Sequence, residues 1–140
     1  MDRCHGCGNG TDVVVADAGE PSAQLPTILV YPSTSRGDIA FCDLCFEARR
    51  FRDLSADDIE QITWFFGVAY VQINPHRSIQ LLEPMLTKWR APDLLSPLGR
   101  AYIGVGRIDE GRALLSEALS VNPTHPYSDG DRRLIEQASA

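Results

Sequence analysis

Ile39-Ala40-Phe41-Cys42-Asp43-Leu44-Cys45 ends on two thiols with two residues between them, and Cys4-His5-Gly6-Cys7 repeats that spacing near the start. These pairs hold all four cysteines of the chain, with 34 residues between them. A two-residue gap lets one tight turn aim both sulfurs at a single ion, and two such pairs supply the four donors of a closed tetrahedral site. Cys4, Cys7, Cys42 and Cys45 are therefore the expected ligands of one structural zinc ion. His5 falls outside the ligand set, because four sulfurs already complete it.

Working outward, Gly6, Gly8 and Gly10 surround Cys7 and allow the close backbone approach that a metal-binding turn needs. Val13 to Ala16 and Thr27 to Tyr31 are short β-prone runs, parted by Gly19-Glu20-Pro21, and Ile39 to Phe41 makes a third. A hairpin is expected to fill the gap between the cysteine pairs. Leu44, Ala48 and Phe51 recur at helical spacing, which predicts a helix carrying the second pair in its first turn, where a helix dipole favours thiolates. Turn, hairpin and helix-borne ligands add up to a treble clef over residues 1–53.

Cys4-His5-Gly6-Cys7-Gly8, followed by Ile39-Ala40-Phe41-Cys42-Asp43-Leu44-Cys45, resembles the zinc-binding domain of the ClpX unfoldase over about the first 52 residues. The resemblance implies that the four cysteines are zinc ligands and that the module serves protein recognition or self-association, which admits a homodimer. The gap between the pairs is longer here than in that family. A thioredoxin-type redox pair is the competing use of one Cys-x-x-Cys, but it needs a βαβ setting and leaves the second pair unexplained.

Residues 54–140 change character. Ser55 can cap a helix with Asp57, Asp58 and Glu60 in its first turn. Ile59, Ile62, Phe66, Ala69 or Tyr70, and Ile73 follow as its apolar stripe. Asn74-Pro75 closes that helix and opens a second, faced by Ile79, Leu82, Leu86 and Trp89, which Pro84 should kink or end. Leu95, Leu98, Tyr102 and Val105 form the next stripe, starting at Asp93 or with Ser96 as cap and Pro97 as first helical residue. Gly106-Arg107 turns the chain into a partner helix faced by Leu114, Leu115, Ala118 and Leu119, ending at Asn122-Pro123. Gly67-x-x-Tyr70 and Gly99-x-x-Tyr102 recur 32 residues apart, the mark of stacked helical hairpins. Ser128 to Ala138 reads as a capping helix. The predicted fold is thus α+β, a small zinc module followed by an all-α region, with the module's helix or a second chain covering the first hairpin.

Leu95, Leu98, Gly99, Tyr102, Gly106, Leu115, Ala118 and Pro123 resemble the packing positions of a tetratricopeptide repeat, well over residues 92–125 and weakly over 59–91. Gly111 departs from it, where the repeat prefers Ala. The resemblance implies a concave surface for a protein partner, lined by the first helix of each hairpin. That rule selects Trp64, Val68, Gln72, Ser96, Arg100 and Ile103, with an exposed Arg100 gripping a carboxylate and Trp64 as anchor. Trp64 reads equally well as part of a core shared with the zinc module.

Composition narrows function. Net charge is −6, with eight acids against five bases in residues 1–54 and eleven against eight in 55–140. Arg49, Arg50 and Arg52 form the one dense basic cluster and are set among acids, so a nucleic-acid-associated zinc regulator is the less favoured alternative. No stretch reaches the ~20 consecutive apolar residues of a membrane span, and the start lacks a secretory leader, which points to the reducing cytoplasm. His76 and His125 stand at prolines with no nucleophile motif nearby, so no enzymatic activity is expected. The reading is a non-catalytic adaptor for a protein partner.

Overall fold

A computed structural model describes His5, residues 28–33 and residues 37–139. Strands β1 (Ile28–Ser33) and β2 (Gly37–Cys42) pair antiparallel, from Ile28 opposite Cys42 to Ser33 opposite Gly37. The described hairpin therefore joins the second and third β-prone runs; Val13 to Ala16 lies outside the described residues. Ile39 and Phe41, two apart on β2, share the buried face as strand alternation requires.

Helix α1 (Asp43–Glu47) follows directly, and it is shorter than the spacing of Leu44, Ala48 and Phe51 predicts. The reason is local. Arg49 takes the left-handed conformation (φ 55°), its N–H reaches the Phe46 carbonyl at 3.0 Å, and the Arg50 N–H reaches the Cys45 carbonyl at 3.0 Å. These two bonds form the paired C-terminal cap in which glycine usually supplies the left-handed residue. Phe51 lies beyond the helix yet still packs 6.0 Å from the Phe46 ring.

Helix α2 (Ala56–Ala69) begins where Ser55 accepts the Asp58 N–H, and α3 (Pro75–Leu82) where Asn74 accepts that of Arg77. Pro84 ends α3 in a 3-10 turn over Glu83–Thr87. Helix α4 (Pro92–Gly104) takes the earlier of its two predicted starts, one residue before Asp93, and holds Pro97 in its interior. Helices α5 (Ile108–Val121) and α6 (Ser128–Ser139) complete the chain. The α2/α3 and α4/α5 hairpins are drawn tight at their glycines. A Cβ at Gly67 would fall 2.5 Å from Leu82 Cδ2, and one at Gly111 would fall 2.6 Å from the Gly99 carbonyl oxygen. Gly99 and Gly111 thus face each other across the crossing, which is why Gly111 cannot be the Ala of the repeat pattern.

Two apolar clusters result. One joins Ile39, Phe41, Cys45 and Phe46 to Ile62, Phe65, Phe66, Ala69 and Tyr70, so the cysteine-bearing segment itself covers the first hairpin. Phe46 stacks on Phe66 at 4.3 Å, and Glu47 accepts from Tyr70 (3.1 Å) and from both Nε (3.2 Å) and Nη2 (2.9 Å) of Arg77. The second cluster joins Leu82 and Met85 to Leu94, Leu95, Leu98, Tyr102, Leu114 and Ala118.

Trp64 packs against both clusters. Its indole N–H also donates to the Asp93 carbonyl at 2.9 Å. That carbonyl lies four residues before Pro97 and has no intrahelical donor, since proline carries no N–H. Trp64→Phe should therefore cost about 1–2 kcal/mol, from the hydrogen bond and the smaller ring. Trp64→Ala should cost about 3–5 kcal/mol by withdrawing packing from both clusters. Urea unfolding of the two variants measures the difference, and equal losses would show that the ring's bulk is dispensable.

Candidate functional site

Cys42 is the last residue of β2 and Cys45 sits in the turn that follows, so strand and helix together aim the second cysteine pair. The Cys45 N–H donates to Cys42 Sγ at 3.4 Å, and Arg50 Nη1 donates to Cys45 Sγ at 3.7 Å. Cys45 is buried and Cys42 half-buried. Both sulfurs thus accept a hydrogen bond at this turn. Cys4 and Cys7 lie outside the described residues, and among the described residues no three ligating side chains converge.

His5 adds a positional fact. Its ring stacks on Phe41 at 5.8 Å, and its Nε2 lies 2.5 Å from the Arg52 carbonyl, to which it donates. The residue between Cys4 and Cys7 thus rests on the residue that precedes Cys42, with one ring nitrogen already engaged.

The expected concave surface is not an open face. Val68 and Ser96 are fully buried, because α2 is covered by the cysteine-bearing segment on one side and by α3 and α4 on others, while α6 seats on α4 and α5. Arg100 is not a free carboxylate clamp: it donates to Asp131 of α6 through Nε (3.2 Å) and Nη2 (3.0 Å) and lies against Gly130. Reversing its charge would set a carboxylate against buried Asp131, which makes it a stability change and not a clean probe of binding. Trp64 is committed to the two clusters, Ile103 is half-buried against Gly111, and Gln72 alone of the six is exposed.

Sequence reasoning missed the centre of this region. Asp131 is wholly buried; Ser96 Oγ donates to its Oδ1 at 2.7 Å, and His125 Nε2 lies 2.9 Å from its Oδ2. His125 Nδ1 accepts the Tyr127 N–H at 3.1 Å, whereas Nε2 and Oδ2, although close, make no hydrogen bond to each other. The serine addresses the carboxylate and not the imidazole, so this network is an anchor for α6 and not a nucleophile with its base. A signal was present: Asp131 continues the 32-residue spacing of Gly67 and Gly99.

Two further surface features flank the hairpins. A furrow of about 430 Å³ between α2 and α3 is lined by Ala56, Ile59, Thr63, Leu81, Pro84 and Met85 and bridged by Lys88 and Glu60 at 2.7 Å. The bond that Lys88 donates to Glu60 holds its ammonium above its ordinary pKa. On the other side Tyr102 donates to Glu83, and the Arg107 guanidinium lies 4.1 Å above its ring. Burial first, and then the bond to Glu83, push the Tyr102 hydroxyl up to about 12 from its ordinary 10.0.

Comparison with protein-family models, with curated proteins and with solved structures gives no match for this chain. Among the described residues no helix is long and apolar enough to cross a membrane.

Two outcomes follow from these contacts. Asp131→Ala leaves Arg100 and His125 facing an empty site and should cost about 3–5 kcal/mol. Hydrogen exchange should show α6 amides losing protection while α2 and α3 keep theirs; uniform loss would contradict the anchor. The raised Tyr102 pKa stabilises the fold fully below pH 10.0, and that share is lost as pH climbs toward about 12, because the unfolded chain releases its proton first. Denaturant unfolding across that window should show a shallower decline for Tyr102→Phe.

Proposed function

We propose that the chain is a non-catalytic, protein-binding adaptor whose residues 1–53 form a treble-clef-like module closed by one structural zinc on Cys4, Cys7, Cys42 and Cys45. Residues 54–140 serve as tetratricopeptide-like hairpins that carry this module. The observation that supports the metal is the second cysteine pair itself: a strand-to-helix turn in which the Cys45 N–H bonds Cys42 Sγ and Arg50 bonds Cys45 Sγ. The contact of His5 with Phe41 supports bringing the first pair to the same end. A bound zinc would supply a charge-compensated crosslink between two segments distant in sequence, and a closed four-sulfur shell leaves no position for substrate.

With Val68 and Ser96 buried and Arg100 half-buried on Asp131, this reading puts the partner surface on the module and not on a concave face of the hairpins. Ser96 and Arg100 both bond Asp131 of α6, which suits a structural part in this reading.

Elemental analysis of protein purified without chelator should give about one zinc per chain. Cys42→Ser should lose the metal and the order of the β1/β2 hairpin, whereas His5→Ala should keep the metal. Less than about half an equivalent in the parent protein, or full zinc in Cys42→Ser, would remove the four-sulfur site.

A further inference from the structure

The turn that ends α1 gathers three arginines that pair with no carboxylate of the described residues. Arg49, Arg50 and Arg52 are all exposed and, with His5 and Phe51, line a pocket of about 270 Å³. None of the three makes an ion pair with a carboxylate of the described residues. Elsewhere the pattern is the reverse: Arg77, Lys88, Arg90, Arg100, Arg107, Arg112 and Arg132 each face an Asp or Glu, and of the other described bases only Arg133 does not. In a chain of net charge −6, carboxylates are in excess, yet the nearby Glu47 is spent on Arg77 and Tyr70.

Crowding three guanidiniums around one small hollow is unfavourable by Coulomb repulsion unless an anion sits among them. Two of the arginine side chains and the histidine ring are also held in place. Arg49 lies over the Phe51 ring at 5.3 Å, Arg50 is tethered to Cys45 Sγ, and His5 is fixed to the Arg52 carbonyl. Such fixing lowers the ordering cost of binding, and the planar forks match carboxylate geometry.

We infer that this pocket receives an acidic segment of a protein partner, whose side-chain carboxylates are gripped by Arg49 and Arg52. The inference rests on the adaptor reading above and names the chemistry of its partner. A lone small anion would be held weakly by exposed guanidiniums, whereas several carboxylates on one chain bind together. A long nucleic acid would extend beyond the pocket, where the net charge of −6 disfavours it.

The test is fluorescence anisotropy of a labelled hexaglutamate peptide titrated with the full-length protein. Saturable, salt-sensitive binding is expected, weakened about tenfold or more by Arg52→Glu. Arg49→Gly should weaken it comparably; glycine suits the left-handed backbone there, so the fold is retained. Arg133→Glu should stay within about twofold of the parent, since its charge lies outside the pocket. Absent binding, an unchanged affinity in both pocket variants, or an equal loss in Arg133→Glu would overturn the assignment. So would oligothymidylate of matched charge or inorganic phosphate displacing the peptide more readily than unlabelled hexaglutamate. Zinc content of the same samples separates the two readings: protein that holds zinc and ignores the peptide overturns the pocket alone.

Discussion

One indole ring ties the molecule together. Trp64 is half-buried between an apolar cluster built on the cysteine-bearing segment and another built on the helical hairpins, and it touches both. Its N–H also answers the carbonyl that Pro97 leaves without a donor inside α4. A proline in a helix interior is costly chiefly through that orphaned carbonyl and the kink it invites. Here a side chain 29 residues upstream supplies the missing donor, and the same contact ties α4 to α2.

The hairpins are set by an equally simple constraint, the distance between helix axes. Gly67 against Leu82, and Gly99 against Gly111, allow approaches that any side chain would block. The tyrosine three residues after each glycine is buried on the same stretch of helix. The last helix lacks a glycine in that register and carries Asp131 there. Its docking is polar where the earlier ones are apolar, and Ser96, Arg100 and His125 are the residues that make this possible.

What the sequence made legible follows from how far each determinant reaches. The caps at Ser55 and Asn74 and the break at Pro84 depend on chemistry within a turn of themselves, and all three fell where composition placed them. The strands were legible as runs, and which two of the three pair is a finding of the structure. The end of α1 was not, because an arginine occupies the left-handed position that glycine normally advertises. The start of α4 was ambiguous for the opposite reason: tolerance of Pro97 depends on Trp64, which no local pattern reveals. Val68, Ser96 and Arg100 are less exposed than the spacing rule expects, because it cannot see α6 seated above two of them. Of the candidate metal site, Cys42 and Cys45 are placed by strand and turn, while Cys4 and Cys7 fall outside the described residues.

The shared cluster of Phe41, Phe46, Ile62 and Phe66 has an evolutionary consequence. The chain reads as two modules joined near residues 53 and 54, the kind of seam at which genes recombine. Yet the ring of Phe46 lies flat on Phe66 across that seam, and Glu47 reaches past it to Tyr70 and Arg77. Exchange of either half for an unrelated one would strip an aromatic face and a carboxylate from its neighbour. The two parts are therefore bound to be inherited as a pair, and substitutions at Phe46, Glu47, Phe66 and Arg77 should track one another in any lineage that keeps both.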